Sequence, residues 1–128
     1  MNKKILIAGA IFGALAVAIG AYGAHGGAKY LTEHTTITFG KAVRYQMYHA
    51  LALLSAGLAY ILIPSQRKLL AWAGYAFIGG IIFFSGSLYI IVFAGVKMGY
   101  VTPLGGTLFV LGWLLLALAV YKADDYNT

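Results

Sequence analysis

Four long apolar runs dominate this sequence and limit the folds open to it. They cover about residues 5–23, 45–63, 69–94 and 102–121. A helix of about 20 apolar residues crosses the roughly 30 Å of hydrocarbon in a membrane. Backbone groups in lipid must be hydrogen-bonded within the protein, and none of the runs alternates strictly between apolar and polar residues. Each run is therefore predicted to be a helix rather than a barrel strand.

The ends of the runs carry helix start and stop signals. Pro64 follows the second run and cannot continue a helical hydrogen-bond ladder. The fourth run opens with "VTPLGG", in which Thr102 is predicted to be the N-cap and Pro103 the first helical residue. These signals place a helix end before Pro64 and a helix start at "VTPLGG".

Composition excludes a water-soluble domain. The chain is 62% hydrophobic and 9% charged, whereas soluble domains carry about 25% charged residues. We therefore predict an all-α membrane protein, a bundle of four transmembrane helices in up-down-up-down order, forming one integral membrane domain over residues 1–128. The net charge of +6 is scattered along the chain, which is typical of membrane boundaries and does not indicate a nucleic-acid partner.

The first run also resembles a secretory signal peptide, with basic residues before it and small residues at Ala21 and Gly23. Its apolar stretch is longer than the 7–15 residues usual in such signals, so an uncleaved span is predicted. Four spans place both termini on one side, and the lysine and arginine count favours the cytoplasm for that side. The predicted location is the inner (plasma) membrane. The basic residues on the terminal side are Lys3, Lys4, Arg67, Lys68 and Lys122, against Lys29, Lys41, Arg44 and Lys97 on the other.

Polar residues collect in the half of the predicted bundle that faces away from the termini. His49 is predicted to lie about one turn inside the second span, in the bundle interior, hydrogen-bonded to Ser85, Ser87 or a tyrosine, because an unpaired polar group in lipid costs several kcal/mol. Tyr45 and Gln46 share its helical face. The full set of candidate ligand-binding residues is His25, Tyr45, Gln46, His49, Ser85, Ser87, Tyr89 and Thr102.

This polar cluster has two interpretations. It is either hydrogen-bonding between helices, the commoner role of such residues, or a polar pocket that binds or transports a small solute or protons. The alternative function is a structural or accessory membrane protein that binds lipid or a larger membrane partner. No carboxylate accompanies His49 within the spans, so the chain is predicted not to be an enzyme. No cofactor or metal is predicted, because the spacing of His25, Glu33 and His34 matches no ligand pattern.

Glycines are the second signal in the spans. The "GAIFG" at residues 9–13 is a GxxxG element, which favours close helix packing within the bundle over a dedicated dimer face. The glycine-rich faces still allow contact between protomers, so a homo-oligomer is expected. The connection 24–41 is long for a helix link, and its loosely spaced apolar residues indicate an interfacial or re-entrant segment.

Four motifs along the chain resemble one family. They are "GAYGAHG" at the end of the first span, "YQMYHALALL" at the start of the second, "FSGSLY" in the third and "TPLGG…GW" in the fourth. They resemble the DUF423 family of small bacterial inner-membrane proteins, whose relatives include transmembrane protein 256. The resemblance implies a four-helix membrane protein with an uncleaved first span, and it implies no biochemical activity or catalytic residue.

Overall fold

The computed structural model describes residues 3–124, and these residues contain helices and no strand. Three helical stretches are long and apolar enough to cross a membrane: Lys3–Ala24, Pro64–Ala94 and Val101–Tyr121. The elements are α1 (Lys3–Ala24), a 3-10 turn (Ala28–Tyr30), α2 (Glu33–Leu62), a 3-10 turn (Pro64–Gln66), α3 (Arg67–Gly80), a π-helical segment (Ile81–Ser85), α4 (Gly86–Ala94) and α5 (Val101–Tyr121).

Helix α2 begins at Glu33, well before the predicted residue 45. Thr32 caps it: its hydroxyl oxygen accepts from the Thr35 backbone nitrogen at 3.1 Å, while the Thr32 backbone nitrogen donates to the Thr35 hydroxyl at 2.8 Å. This reciprocal pair satisfies backbone donors that would otherwise lack partners at the helix start. The link between α1 and α2 is therefore shorter than the predicted connection 24–41, because the residues from Glu33 onward are the beginning of α2.

The start of α5 also differs from the prediction. The helix begins at Val101, with Tyr100 in the N-cap position. Thr102 and Pro103 are thus the second and third helical residues, where a proline is still tolerated because its missing N–H has no intrahelical partner. At the other end of the same link, α4 stops at Gly95, whose φ of +67° is a left-handed conformation that suits glycine.

Neighbouring helices pack antiparallel through glycines. A Cβ on Gly9 would lie 3.0 Å from the Ala50 carbonyl oxygen and 3.1 Å from the Leu53 side chain, so α1 and α2 approach very closely. Gly57 of α2 meets Leu6 near the other end of the same contact. The predicted role of the GxxxG element, packing within the bundle, is confirmed at Gly9.

The core lies where α2, α3 and α5 meet. Phe77 and Leu53 are fully buried there, and Phe109 of α5 packs against Gly80 of α3. Helix α1 packs chiefly on α2, and α5 chiefly on α3 and the π-helical segment. Helix α2 therefore lies at the centre of the chain's contacts, with apolar outer helices on either side.

Candidate functional site

His49 lies in the core near the middle of the helices. Its neighbour Ala50 faces Gly9 and Gly13, which lie in the central part of α1. The side chain is 5% exposed. The prediction of an interior position is confirmed, whereas the predicted depth of one turn inside the span is wrong, because α2 begins so much earlier than expected.

Both ring nitrogens of His49 have partners. Nδ1 lies 2.7 Å from the backbone carbonyl oxygen of Tyr45, and the Trp113 indole nitrogen donates to Nε2 at 3.1 Å. A carbonyl only accepts and an indole N–H only donates. The ring must therefore be neutral, with its proton on Nδ1 and a lone pair on Nε2.

Aromatic rings enclose the same imidazole. The ring of Phe109 stacks on it with centroids 3.5 Å apart and planes 8° apart. Phe77 and Trp113 approach from the side, with centroids at 5.8 and 5.9 Å. Water is excluded from the ring by these contacts, which strengthens its two hydrogen bonds.

A second polar chain joins three helices. The Tyr89 hydroxyl of α4 donates to Gln46 Oε1 at 2.7 Å, and Gln46 Nε2 donates to the Phe12 carbonyl oxygen of α1 at 2.9 Å. Gln46 is 3% exposed. The Gln46 amide thus accepts through its oxygen and donates through its nitrogen, and it joins α2 to both α4 and α1.

The two serines of "SGS" face different helices. Ser85, in the π-helical segment, donates to the Ala42 carbonyl oxygen of α2 at 2.7 Å. Ser87 contacts the Thr102 hydroxyl of α5 and donates to the Phe84 carbonyl oxygen at 2.8 Å. Residues two apart on a helix point in different directions, so this triplet connects its own helix to α2 and to α5.

The structure brings together most of the predicted cluster, with two corrections. His49 does not bond to Ser85, Ser87 or a tyrosine hydroxyl; its partners are the Tyr45 backbone and Trp113, because each serine is already committed to another helix. His25 is exposed in the link after α1, and within residues 3–124 no side-chain hydrogen bond joins it to the other predicted residues.

Sequence reasoning missed Trp113 and Phe109. Both lie in the apolar run of α5, where an aromatic residue is indistinguishable from one that faces lipid. Trp113 is the tryptophan of the "GW" motif, which marked the family and no site. The physical signal was its indole N–H in mid-span, since such a donor needs a partner in a dry environment. The backbone acceptors of Phe12 and Ala42 carry no signal in sequence.

All interhelical polar groups of this cluster are satisfied. Among residues 3–124, no buried side-chain nitrogen or oxygen lacks a hydrogen-bond partner. Apolar helices that could span a bilayer, joined by such a satisfied polar interior, define an integral membrane protein. The arrangement holds helices together and leaves no ring nitrogen of His49 free for a ligand.

Comparison with known proteins gives the family. A family model described as "Protein of unknown function (DUF423)" matches residues 19–106. The chain belongs to this family. It is 44% identical over 121 residues to a "UPF0382 membrane protein" of Staphylococcus aureus (strain bovine RF122 / ET3-1), covering 94% of this chain and 97% of the relative. No solved structure matches.

Two further relatives carry the same name. A UPF0382 membrane protein of Staphylococcus saprophyticus is 40% identical over 121 residues, covering 94% of this chain and 98% of the relative. One of Staphylococcus epidermidis is 43% identical over 122 residues, covering 94% and 97%. These names describe membrane proteins and assign them no activity.

Proposed function

We propose that this chain is a structural or accessory protein of the inner membrane, with four spans in up-down-up-down order and both termini in the cytoplasm. In this proposal the polar cluster fixes the helices to one another. The outer faces of the bundle make the functional contacts, with lipid or with a larger membrane partner. The observation that carries the proposal is the complete use of the His49 ring nitrogens inside an aromatic enclosure.

Support for a fourth span comes from how α2 lies beside α1. The two helices are in contact from the Leu6–Gly57 pair to the Gly23–Phe39 pair, near the two ends of α1. If α1 crosses the membrane, the part of α2 beside it crosses the same hydrocarbon. Two polar residues in this part of α2, Gln46 and His49, are buried inside the protein and do not face the hydrocarbon.

The distribution of basic residues supports the proposed orientation. Five basic residues lie on the side of the termini and four on the other. We keep the cytoplasmic location of the termini as part of the proposal, together with the single integral membrane domain.

Solute or proton binding at His49 is less well supported than structural hydrogen bonding. A proton or ligand at Nε2 would have to displace the Trp113 indole, whose nitrogen lies 3.1 Å away. The same argument underlies our proposal that the chain is not an enzyme, since general base catalysis would need that lone pair.

We also propose that the protein forms a homo-oligomer, although the glycines expected to mediate it do not do so. Gly9, Gly105 and Gly112 pack against helices of the same chain and are not available to a second copy. The surface proposed to meet a second copy is instead the outer face of α3 and α5, where Trp72, Tyr75 and Leu111 line an open groove.

Cysteine accessibility tests the closed interior, because the chain has no native cysteine. In membranes, Ser85→Cys should stay unreactive toward a membrane-impermeant thiol reagent. His34→Cys, at an exposed position before the proposed second span, should react from the non-cytoplasmic side. Reaction of Ser85→Cys at a rate close to that of His34→Cys would contradict the closed interior. Labelling of His34→Cys only from the cytoplasm would contradict the orientation.

A further inference from the structure

A groove of about 330 Å³ lies between the end of α1 and the first turns of α2. Three of its lining residues are glycines, Gly20, Gly23 and Gly40, and Phe39 and Val43 give the groove an apolar surface. The other lining residues are Ala24, Leu31, Thr36 and Arg44. This groove lies on the outside of the bundle and does not involve the hydrogen-bonded cluster.

Arg44 is the charged residue of the groove. Within residues 3–124 its exposed guanidinium takes part in no ion pair and no side-chain hydrogen bond. Arg67, at the opposite end of the bundle, is different: its Nε donates to the Tyr60 carbonyl oxygen at 3.1 Å, and its guanidinium lies over the Tyr60 ring. Arg44 thus carries a charge that the described chain does not neutralise.

Arg44 lies close enough to the end of the helices for its long side chain to extend toward a lipid headgroup. The adjacent Val43 faces Gly20, four residues before α1 ends at Ala24, which is about 6 Å along a helix. Lys29, Lys41 and Lys97 lie toward the same end of the helices, where Glu33 is the one described acid. The end of the bundle that carries the groove is therefore positively charged.

We propose that this groove binds one anionic phospholipid, with its phosphate on Arg44 and the start of an acyl chain along Phe39 and Val43. A guanidinium presents paired donors that match a phosphate, and an anionic headgroup keeps a net negative charge that a zwitterionic headgroup lacks. Gly40 contributes by its lack of a side chain: a Cβ there would lie 3.1 Å from the Arg44 guanidinium. This lipid site rests on the proposed accessory function and adds to it the class of lipid that the protein binds.

The test counts lipids bound to the purified chain by native mass spectrometry in a neutral detergent. Dioleoylphosphatidylglycerol should be retained by the wild type at least about fivefold more than dioleoylphosphatidylcholine, the ratio expected for one added charge contact. Arg44→Gln should lose about that factor. Lys41→Gln removes an equal charge one turn away, outside the groove lining, and should change retention by less than twofold.

A second variant tests the site even if Arg44→Gln does not fold. Gly40→Leu fills the groove while keeping the arginine, and should also lower retention of phosphatidylglycerol. Excess inorganic phosphate should leave the lipid bound, because the acyl groove adds contacts that phosphate lacks. Any one of four results would overturn the site. They are equal retention of the two lipids by the wild type, equal losses in Arg44→Gln and Lys41→Gln, wild-type retention by Gly40→Leu, and displacement of the lipid by phosphate. If the site fails while Ser85→Cys stays unreactive, the closed accessory bundle stands and only the lipid assignment falls.

Discussion

His49 shows how one polar side chain is stabilised in the middle of an apolar bundle. A neutral imidazole has one donor and one acceptor, and here each meets a partner of the opposite kind. Stacking on Phe109 then removes the ring from both lipid and water. The residue therefore joins α2 to α5 without a charge in the hydrocarbon.

Trp113→Phe should destabilise the protein by about 1–2 kcal/mol, because it leaves Nε2 of His49 buried without a donor. Trp72→Phe is the matched control: Trp72 is 56% exposed and Trp113 46%, and the Trp72 indole has no hydrogen-bond partner among residues 3–124. The control should lie within about 0.5 kcal/mol of the wild type. The measurement is reversible unfolding in mixed micelles.

A double-mutant cycle with His49→Phe isolates the pair itself. The coupling between positions 49 and 113 should be about 1 kcal/mol, since the bond is absent from both single variants and from the double variant. A coupling near zero, or equal losses in Trp72→Phe and Trp113→Phe, would show that the indole acts only through its size.

At the level of elements, glycines decide which helix faces meet. A Cβ on Gly105 of α5 would press against the backbone of the π-helical segment, 2.7 Å from the Phe83 carbonyl carbon, and backbone atoms cannot rotate away. On Gly106 the nearest atom would be 3.9 Å away, at the Phe84 side chain. Adjacent residues of the same type thus have opposite surroundings.

Gly105→Ala should destabilise the bundle by about 1–3 kcal/mol through overpacking. Gly106→Ala should be neutral or stabilising by up to about 1 kcal/mol, because alanine is the better helix former. Comparing the two variants by thermal unfolding in one detergent removes the effect of helix propensity. Equal stabilities would show that α5 does not approach the π-helical segment as closely as described.

At the scale of the whole molecule, the helical class was predictable because the apolar runs at 5–23, 69–94 and 102–121 leave no other structure in lipid. The start of α2 was not predictable, because the residues that follow the Thr32 cap are polar and resemble a loop in the sequence. The choice of partners within the polar cluster was also hidden. It depends on backbone carbonyls such as that of Ala42 and on which face of α5 turns inward, and neither leaves a pattern in the sequence.

The protonation of His49 in a lipid bilayer tests the closed, hydrogen-bonded interior most directly. Solid-state NMR of the 15N-histidine-labelled protein near neutral pH, with His49→Gln to assign the signal, reports which ring nitrogen carries the proton. We expect a neutral ring protonated on Nδ1, with Nε2 close to the indole hydrogen of Trp113. A neutral ring with its proton on Nε2 would contradict both hydrogen bonds, and a doubly protonated ring would contradict the bond from Trp113 to Nε2. Either result would reopen His49 as a site for protons or solute.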